Sequence, residues 1–152
     1  MLRELDKVLD QTKGTLRTVQ DLEAAMFATG KTVDLLAIHH FAHGTYTREL
    51  LIPAGVALTG KIHRHACINI LAKGTILVTD GEIEREITAP HTFVSPAGSK
   101  KAGFALTDVV WINVHPWDGE PDIELIEQHV IVPEHETLTH EDVPCLGSQQ
   151  QS

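Results

Sequence analysis

Cysteine is nearly missing from this chain, and basic residues are few. The two cysteines are Cys67 and Cys145, and the second lies in a polar tail, so no disulfide framework is available and a reducing, cytoplasmic setting is expected. Twelve Lys plus Arg stand against 21 Asp plus Glu, a net charge of −9. That sign excludes a nucleic-acid binder whose affinity comes from neutralising phosphates. Long apolar runs are also missing. None approaches the roughly 18 residues of a membrane-spanning helix, so no membrane partner is expected. The first residues, Met1-Leu2-Arg3-Glu4-Leu5-Asp6, are acidic where a secretory signal would be basic, and export is not expected.

Apolar residues make up 42% of the 152, enough for one ordinary soluble domain with its own core. Histidine is the unusual abundance, with ten copies. Two of them, His63 and His65, lie in Lys61-Ile62-His63-Arg64-His65-Ala66-Cys67-Ile68-Asn69, where polar and apolar residues alternate. If this stretch is extended, Lys61, His63, His65, Cys67 and Asn69 share one face, because strand side chains repeat every second residue.

The rest of the chain reads as short strands and turns. Residues 1–32 form an arm and a short helix: Thr18 is the N-cap, Asp21 sits in a capping box, Leu22, Ala25 and Met26 follow at helical spacing, and Gly30 is the stop. Residues 33–132 carry the strands. Val33 to His43 and Tyr46 to Ile52 flank Gly44-Thr45 as a hairpin, and Thr75 to Thr79 and Ile83 to Ile87 flank Asp80-Gly81, a type I′ signal with Glu82, Glu84 and Glu86 pointing outward. Thr92 to Val94, Gly103 to Leu106 and Val109 to His115 add three more strands. A helix is expected after Asp118-Gly119-Glu120-Pro121, and a last strand at Val130-Ile131-Val132. Residues 133–152 are a polar tail, partly disordered by composition. Strands at this spacing predict an all-β sandwich or barrel with short helices.

Pro53-Ala54-Gly55, His63-x-His65, Gly74 and Pro96-Ala97-Gly98 resemble the motifs of the cupin superfamily, and the chain is similar to short cupin-like proteins of phages and prophages. The resemblance covers residues 35 to 115. It implies a single-domain antiparallel jelly-roll barrel, often dimeric, with one divalent metal on a His-x-His pair, a Glu and a later His. Gly55 and Gly74 stand at the family spacing, which aligns Lys61 and His63 with the two histidines and Cys67 with the glutamate. Alignment by His-x-His instead sets Asn69 at the glutamate position. Neither register supplies a carboxylate, and Lys101 stands where the later His belongs. His115 is the best replacement, because Trp111, Asn113 and His115 share a strand face; His40, His43, Glu49 and His91 are weaker ones.

The resemblance thus implies a metal on His63, His65 and His115, with no residue singled out as catalytic. Imidazole suits Zn, Fe, Ni or Cu, thiolate would favour Zn, and Mn also fits a divalent site. Tyr46, Arg48, Lys61, Asn69 and Lys101 are the candidates for binding a small acidic molecule, as a phenol, cations and an amide aimed inward. The plainer alternative stays open at each position. Ile62, Ala66, Ile68 and Ile70 could be the core face, leaving the histidines in water, unless the 18 to 29 helix or a partner subunit covers them. Cys67 reads more simply as a small core residue, Tyr46 and Arg48 as a solvated strand, Trp111 and Trp117 as packing anchors, and His129, His135 and His140 as solvated. Two function classes follow: a metal-dependent enzyme, or a metal-free cupin acting as a small-molecule sensor or phage-associated accessory protein, either one a homodimer.

Overall fold

Side chains that alternate inward and outward along short strands build two facing sheets. The computed structural model describes residues 19–30, 33–81 and 83–133. Its elements are helix α1 (Val19–Ala28), strands β1 (Leu36–Ala42), β2 (Thr45–Ile52), β3 (Ala57–Thr59), β4 (Cys67–Lys73), β5 (Thr75–Thr79), β6 (Glu84–Thr88), β7 (His91–Ser95), β8 (Ala102–Ala105) and β9 (Val109–Pro116), and helix α2 (Ile123–Val130). The strands pair antiparallel in two sheets, in the orders β1-β2-β9-β4-β7 and β3-β8-β5-β6. This is an all-β barrel with short helices, as the strand spacing predicts, and of the jelly-roll type that the resemblance implies. The arm, the Thr18 N-cap, the Asp21 side chain, Glu82 and the tail beyond residue 133 lie outside what is described.

Register decides what lines the barrel. Across the five-stranded sheet Tyr46 faces His115, Arg48 faces Asn113, Leu50 faces Trp111 and Ile52 faces Val109. On the other side of β9, Asn69 faces Asn113 and Leu71 faces Trp111. The inward residues therefore form rows: two polar rows at one end, then two apolar ones. Leu50, Ile52, Leu71, Ile76, Ala105 and Val109 pack together at the apolar end. At the polar end Ile126 and Val130 of α2 close over Tyr46. Asp122 starts that helix, its Oδ1 accepting from the backbone N–H of Glu124 at 2.9 Å and of Leu125 at 3.2 Å.

Several expectations change. The Lys61 to Asn69 stretch is not one strand, because β3 ends at Thr59 in one sheet and β4 begins at Cys67 in the other, with a bent crossing between. Val130 ends α2, so Val130 to Val132 is no strand; Ile131 makes a single bridge to His63, and Val132 N–H bonds to Ile62 C=O at 2.9 Å. The β5–β6 turn spans residues 80–83, and Asp80 Oδ1 accepts from Ile83 N–H at 3.0 Å. Among the described residues only glycines have positive φ, so Asp80 cannot begin a type I′ turn. Helix α1 does not cover Ile62, Ala66, Ile68 and Ile70. It packs on β3 and β8, where Glu23 accepts from Thr59 Oγ1 at 2.7 Å and pairs with Lys100. Ile68 is left 43% exposed and Val94 63%, on the open outer face of the five-stranded sheet.

Gly74 makes the passage from β4 in one sheet to β5 in the other with φ +89, and an added Cβ would run into the Asp108 carbonyl and stand 2.8 Å from Thr107 Oγ1. Left-handed backbone and backbone collision act together, so Gly74→Ala is expected to destabilise the fold by about 2–4 kcal/mol. The urea midpoint measures this, and an unchanged midpoint would contradict the tight approach.

Candidate functional site

A pocket of about 290 Å³ runs into the barrel from beside α2. It lies at the small end of ligand pockets, which begin at roughly 300 Å³. Exposed Gly60, Lys61 and Glu127 mark its mouth, and Lys61 Nζ is 3.1 Å from Glu127 Oε1 there. Leu50, Ile52, Ile76 and Trp111 line the far end, and Tyr46, Arg48, His63, Asn113 and His115 the near end. The only carboxylate among the described lining residues is that of Glu127, at the rim.

Three potential ligand atoms converge at the polar end. Those of His63, Cys67 and His115 all lie within 4.8 Å of one another. Strand β9 brings His115, the first residue of β4 brings Cys67, and the crossing between the sheets brings His63, which its bridge to Ile131 holds against the end of α2. Cys67 Sγ is 3.9 Å from His115 Nε2. A buried chain of amides continues from the thiol: Asn113 Nδ2 donates to Cys67 Sγ at 3.6 Å and to Asn69 Oδ1 at 2.9 Å, and Asn69 Nδ2 donates to Ser95 Oγ at 2.6 Å. Ser95 Oγ also receives Lys101 Nζ, which stands 5.9 Å over the Phe93 ring. Tyr46 is buried between neighbours, its hydroxyl 2.7 Å from His39 Nδ1 and its ring stacked on His115.

Burial sets the protonation states. It pushes the imidazoles of His63 and His115 down to about 4, helped at His63 by the charges of His115, Lys101 and Arg48, and at His115 by Arg48 and His65. Burial pushes the Cys67 thiol and the Tyr46 phenol up and the Lys101 ammonium down. Near neutral pH the site is therefore two neutral imidazoles and a protonated thiol, facing the guanidinium of Arg48. Among the described residues, Arg48 has neither a carboxylate nor a hydrogen-bond partner.

The expected site residues divide. Tyr46, Arg48, Asn69 and Lys101 line the pocket with His63 and His115, and Lys61 reaches only its rim. His65 is not in the group, because the bend at Arg64-His65 breaks the two-residue alternation; its ring is exposed and rests 5.5 Å from that of His129. Cys67, read from sequence as core, is 1% exposed and touches His115 as well. Counting from Gly55 was the signal for it, since that register aligns His63 and Cys67 with ligand positions and leaves His65 out. Ser95 was not singled out, and nothing in its local sequence marks it. His40 pairs outward with Glu49 at 2.9 Å, and His43 and His91 are exposed.

No family profile and no curated protein matches the chain. Solved structures similar to it include cupins. A cupin superfamily protein from Desulfitobacterium hafniense is 9% identical with a TM-score of 0.48, over 58% of this chain and 82% of that one. An RmlC-like cupin from Shewanella frigidimarina is 20% identical with a TM-score of 0.48, over 59% and 80%. KdgF from a Halomonas species is 18% identical with a TM-score of 0.49, over 61% and 90%. At these identities the likeness concerns the fold, and no residue's role passes to this chain with it.

The imidazoles titrate near 6.5 when unfolded and about 4 when folded, so between those values the unfolded chain binds more protons. Stability therefore rises with pH across that window. The metal-free protein is expected to hold its Tm above about pH 7 and lose it on acidification from 6.5 toward 4, and His115→Gln should flatten the slope. A Tm that stays level over this range would contradict buried neutral imidazoles.

Proposed function

We propose that the polar end of the barrel binds one divalent metal ion on His63, Cys67 and His115, with a small acidic molecule held beside it by Arg48 and Lys101. The observation that carries this reading is the convergence of three ligand atoms within 4.8 Å, two of them on residues that line a pocket with cations but no inward carboxylate. The residues fit an ion. In a tetrahedral site a nitrogen and a sulfur ligand stand about 3.6 Å apart, close to the 3.9 Å between Cys67 Sγ and His115 Nε2. Both imidazoles are already neutral, the form that ligates, while the thiol would release its proton on binding. Of Zn, Fe, Ni and Mn, this sulfur and nitrogen set favours zinc. An ion held by His63, Cys67 and His115 would supply Lewis-acid chemistry, polarising an oxygen of a bound molecule or acidifying water. The chain's own cations would orient the acid, and the Tyr46 hydroxyl, held by His39, would stand beside it as a proton donor or acceptor.

A second reading has its own support. Among the described residues no buried side-chain nitrogen or oxygen lacks a hydrogen-bond partner, so the amide network closes without an ion. In that reading the barrel is a metal-free sensor or a phage-associated accessory protein, and the pocket takes the acid alone. Either way a homodimer would use the outer face of the five-stranded sheet, where Leu36, Ile38, Ile68 and Val94 are exposed and could meet their own copies across a two-fold axis.

Elemental analysis after purification without chelator separates the two readings. About one zinc per chain is expected, falling to background in Cys67→Ala/His115→Ala and persisting in His65→Ala; no stoichiometric metal in the wild type leaves the metal-free reading. For the dimer, light scattering should find two chains per particle and one in Ile68→Glu/Val94→Glu. A wild-type monomer at tens of micromolar would remove the dimer.

A further inference from the structure

The acid-binding part of the proposed function leaves open what kind of acid the pocket takes. The order of residues along the strands narrows this. Strand β2 presents Tyr46, Arg48, Leu50 and Ile52 inward in that sequence, and β9 answers with His115, Asn113, Trp111 and Val109. Polarity thus falls along the pocket axis in steps of one side-chain row. Opposite, β5 adds Ile76 and Val78 and the β3 strand adds Leu58 at the apolar end. The exposed rim residues Gly60, Lys61 and Glu127 belong with the polar end, next to α2. A molecule entering there meets cations first and hydrocarbon last.

From this gradient we infer that the pocket is built for a small amphipathic monoacid, with its carboxylate on Arg48 near the mouth and an apolar tail reaching the Leu50, Ile52 and Ile76 end. The inference rests on the acidic-ligand part of the reading above and not on the metal. Arg48 is the anchor because its guanidinium has neither a carboxylate nor a hydrogen-bond partner among the described residues, whereas Lys101 already has the hydroxyls of Ser95 and Ser99. A planar fork of donors at the edge of an apolar chamber suits one carboxylate bound in two-point fashion. A second acidic group is disfavoured at the far end. There it would lose its water among Leu58, Ile76, Val78 and Trp111, and the described lining residues of that end include no cation. The pocket's volume of about 290 Å³ limits the tail to a short chain or a single ring.

The test is calorimetric titration of the full chain with straight-chain probes, the metal content of each sample being measured alongside. Hexanoate should bind about tenfold more tightly than butanoate, since each buried methylene is worth about threefold to fourfold. Hexanedioate and neutral hexanamide should each bind at least tenfold more weakly than hexanoate. Arg48→Gln should lose about tenfold or more for hexanoate and less for hexanamide, while an unchanged far-UV circular dichroism spectrum and a cooperative thermal transition show that the variant is folded. Val78→Phe, which fills the apolar end, should weaken hexanoate but not propanoate. Equal affinity for the diacid, indifference to chain length, an unaffected Arg48→Gln protein, or no carboxylate binding would each overturn the inference. A sample without metal that shows the expected pattern would support the inference while removing the metal from the proposed function. One with stoichiometric metal and no carboxylate binding would do the reverse.

Discussion

The pairing of β2, β9 and β4 is the constraint on which everything else in this barrel depends. Each inward residue of one strand stands opposite an inward residue of the next, so a single register aligns Arg48, Asn113 and Asn69 in one row and Leu50, Trp111 and Leu71 in the next. A slip by one residue would turn every one of these side chains outward. The same pairing that packs the core thereby sorts the pocket into a polar and an apolar end, with no separate device for each.

Polar groups inside the barrel stay affordable because they answer one another. Asn113 serves both Asn69 and Cys67, Asn69 serves Ser95, and Ser95 takes the Lys101 ammonium. Unpaired, each buried group would cost about 1–3 kcal/mol. Arg48 departs from this economy: it sits in the pocket wall with no such partner among the described residues, and that difference makes it the natural contact for something arriving from outside.

Much of the barrel was legible because period-two alternation and turn residues are local signals. The β1–β2 hairpin, β5, β7 and β9 come close to where the sequence sets them, and the face shared by Trp111, Asn113 and His115 forms as expected. The errors share a physical origin, which is that tertiary crossings leave little local trace. Regular alternation from Lys61 to Asn69 concealed a passage between two sheets, so His65 was grouped with residues it does not join. Asp80-Gly81 looked like a two-residue turn, but the pairing of Thr79 with Glu84 needs four. For Cys67 the sequence left both a ligand and a packing role open, with packing the simpler, because burial and proximity to His115 arise from the same inward position and composition cannot separate them. Helix α1 went to β3 and β8 because Thr59 and Lys100 satisfy Glu23 there, a long-range preference that helical spacing does not express.

The bridge between His63 and Ile131 joins the middle of the chain to its far side. Arg64 N–H bonds to Val130 C=O at 2.8 Å and Val132 N–H to Ile62 C=O at 2.9 Å, so backbone on either side of His63 is laced to the segment that ends α2. This lacing makes the residues just past the helix a clasp. A chain cut after Val130 would keep every side chain of the His63, Cys67 and His115 group yet lose the fastening that holds the first of them in place. The geometry of the site is thus written partly in the backbone of Ile131 and Val132, residues that supply none of its three potential ligand atoms.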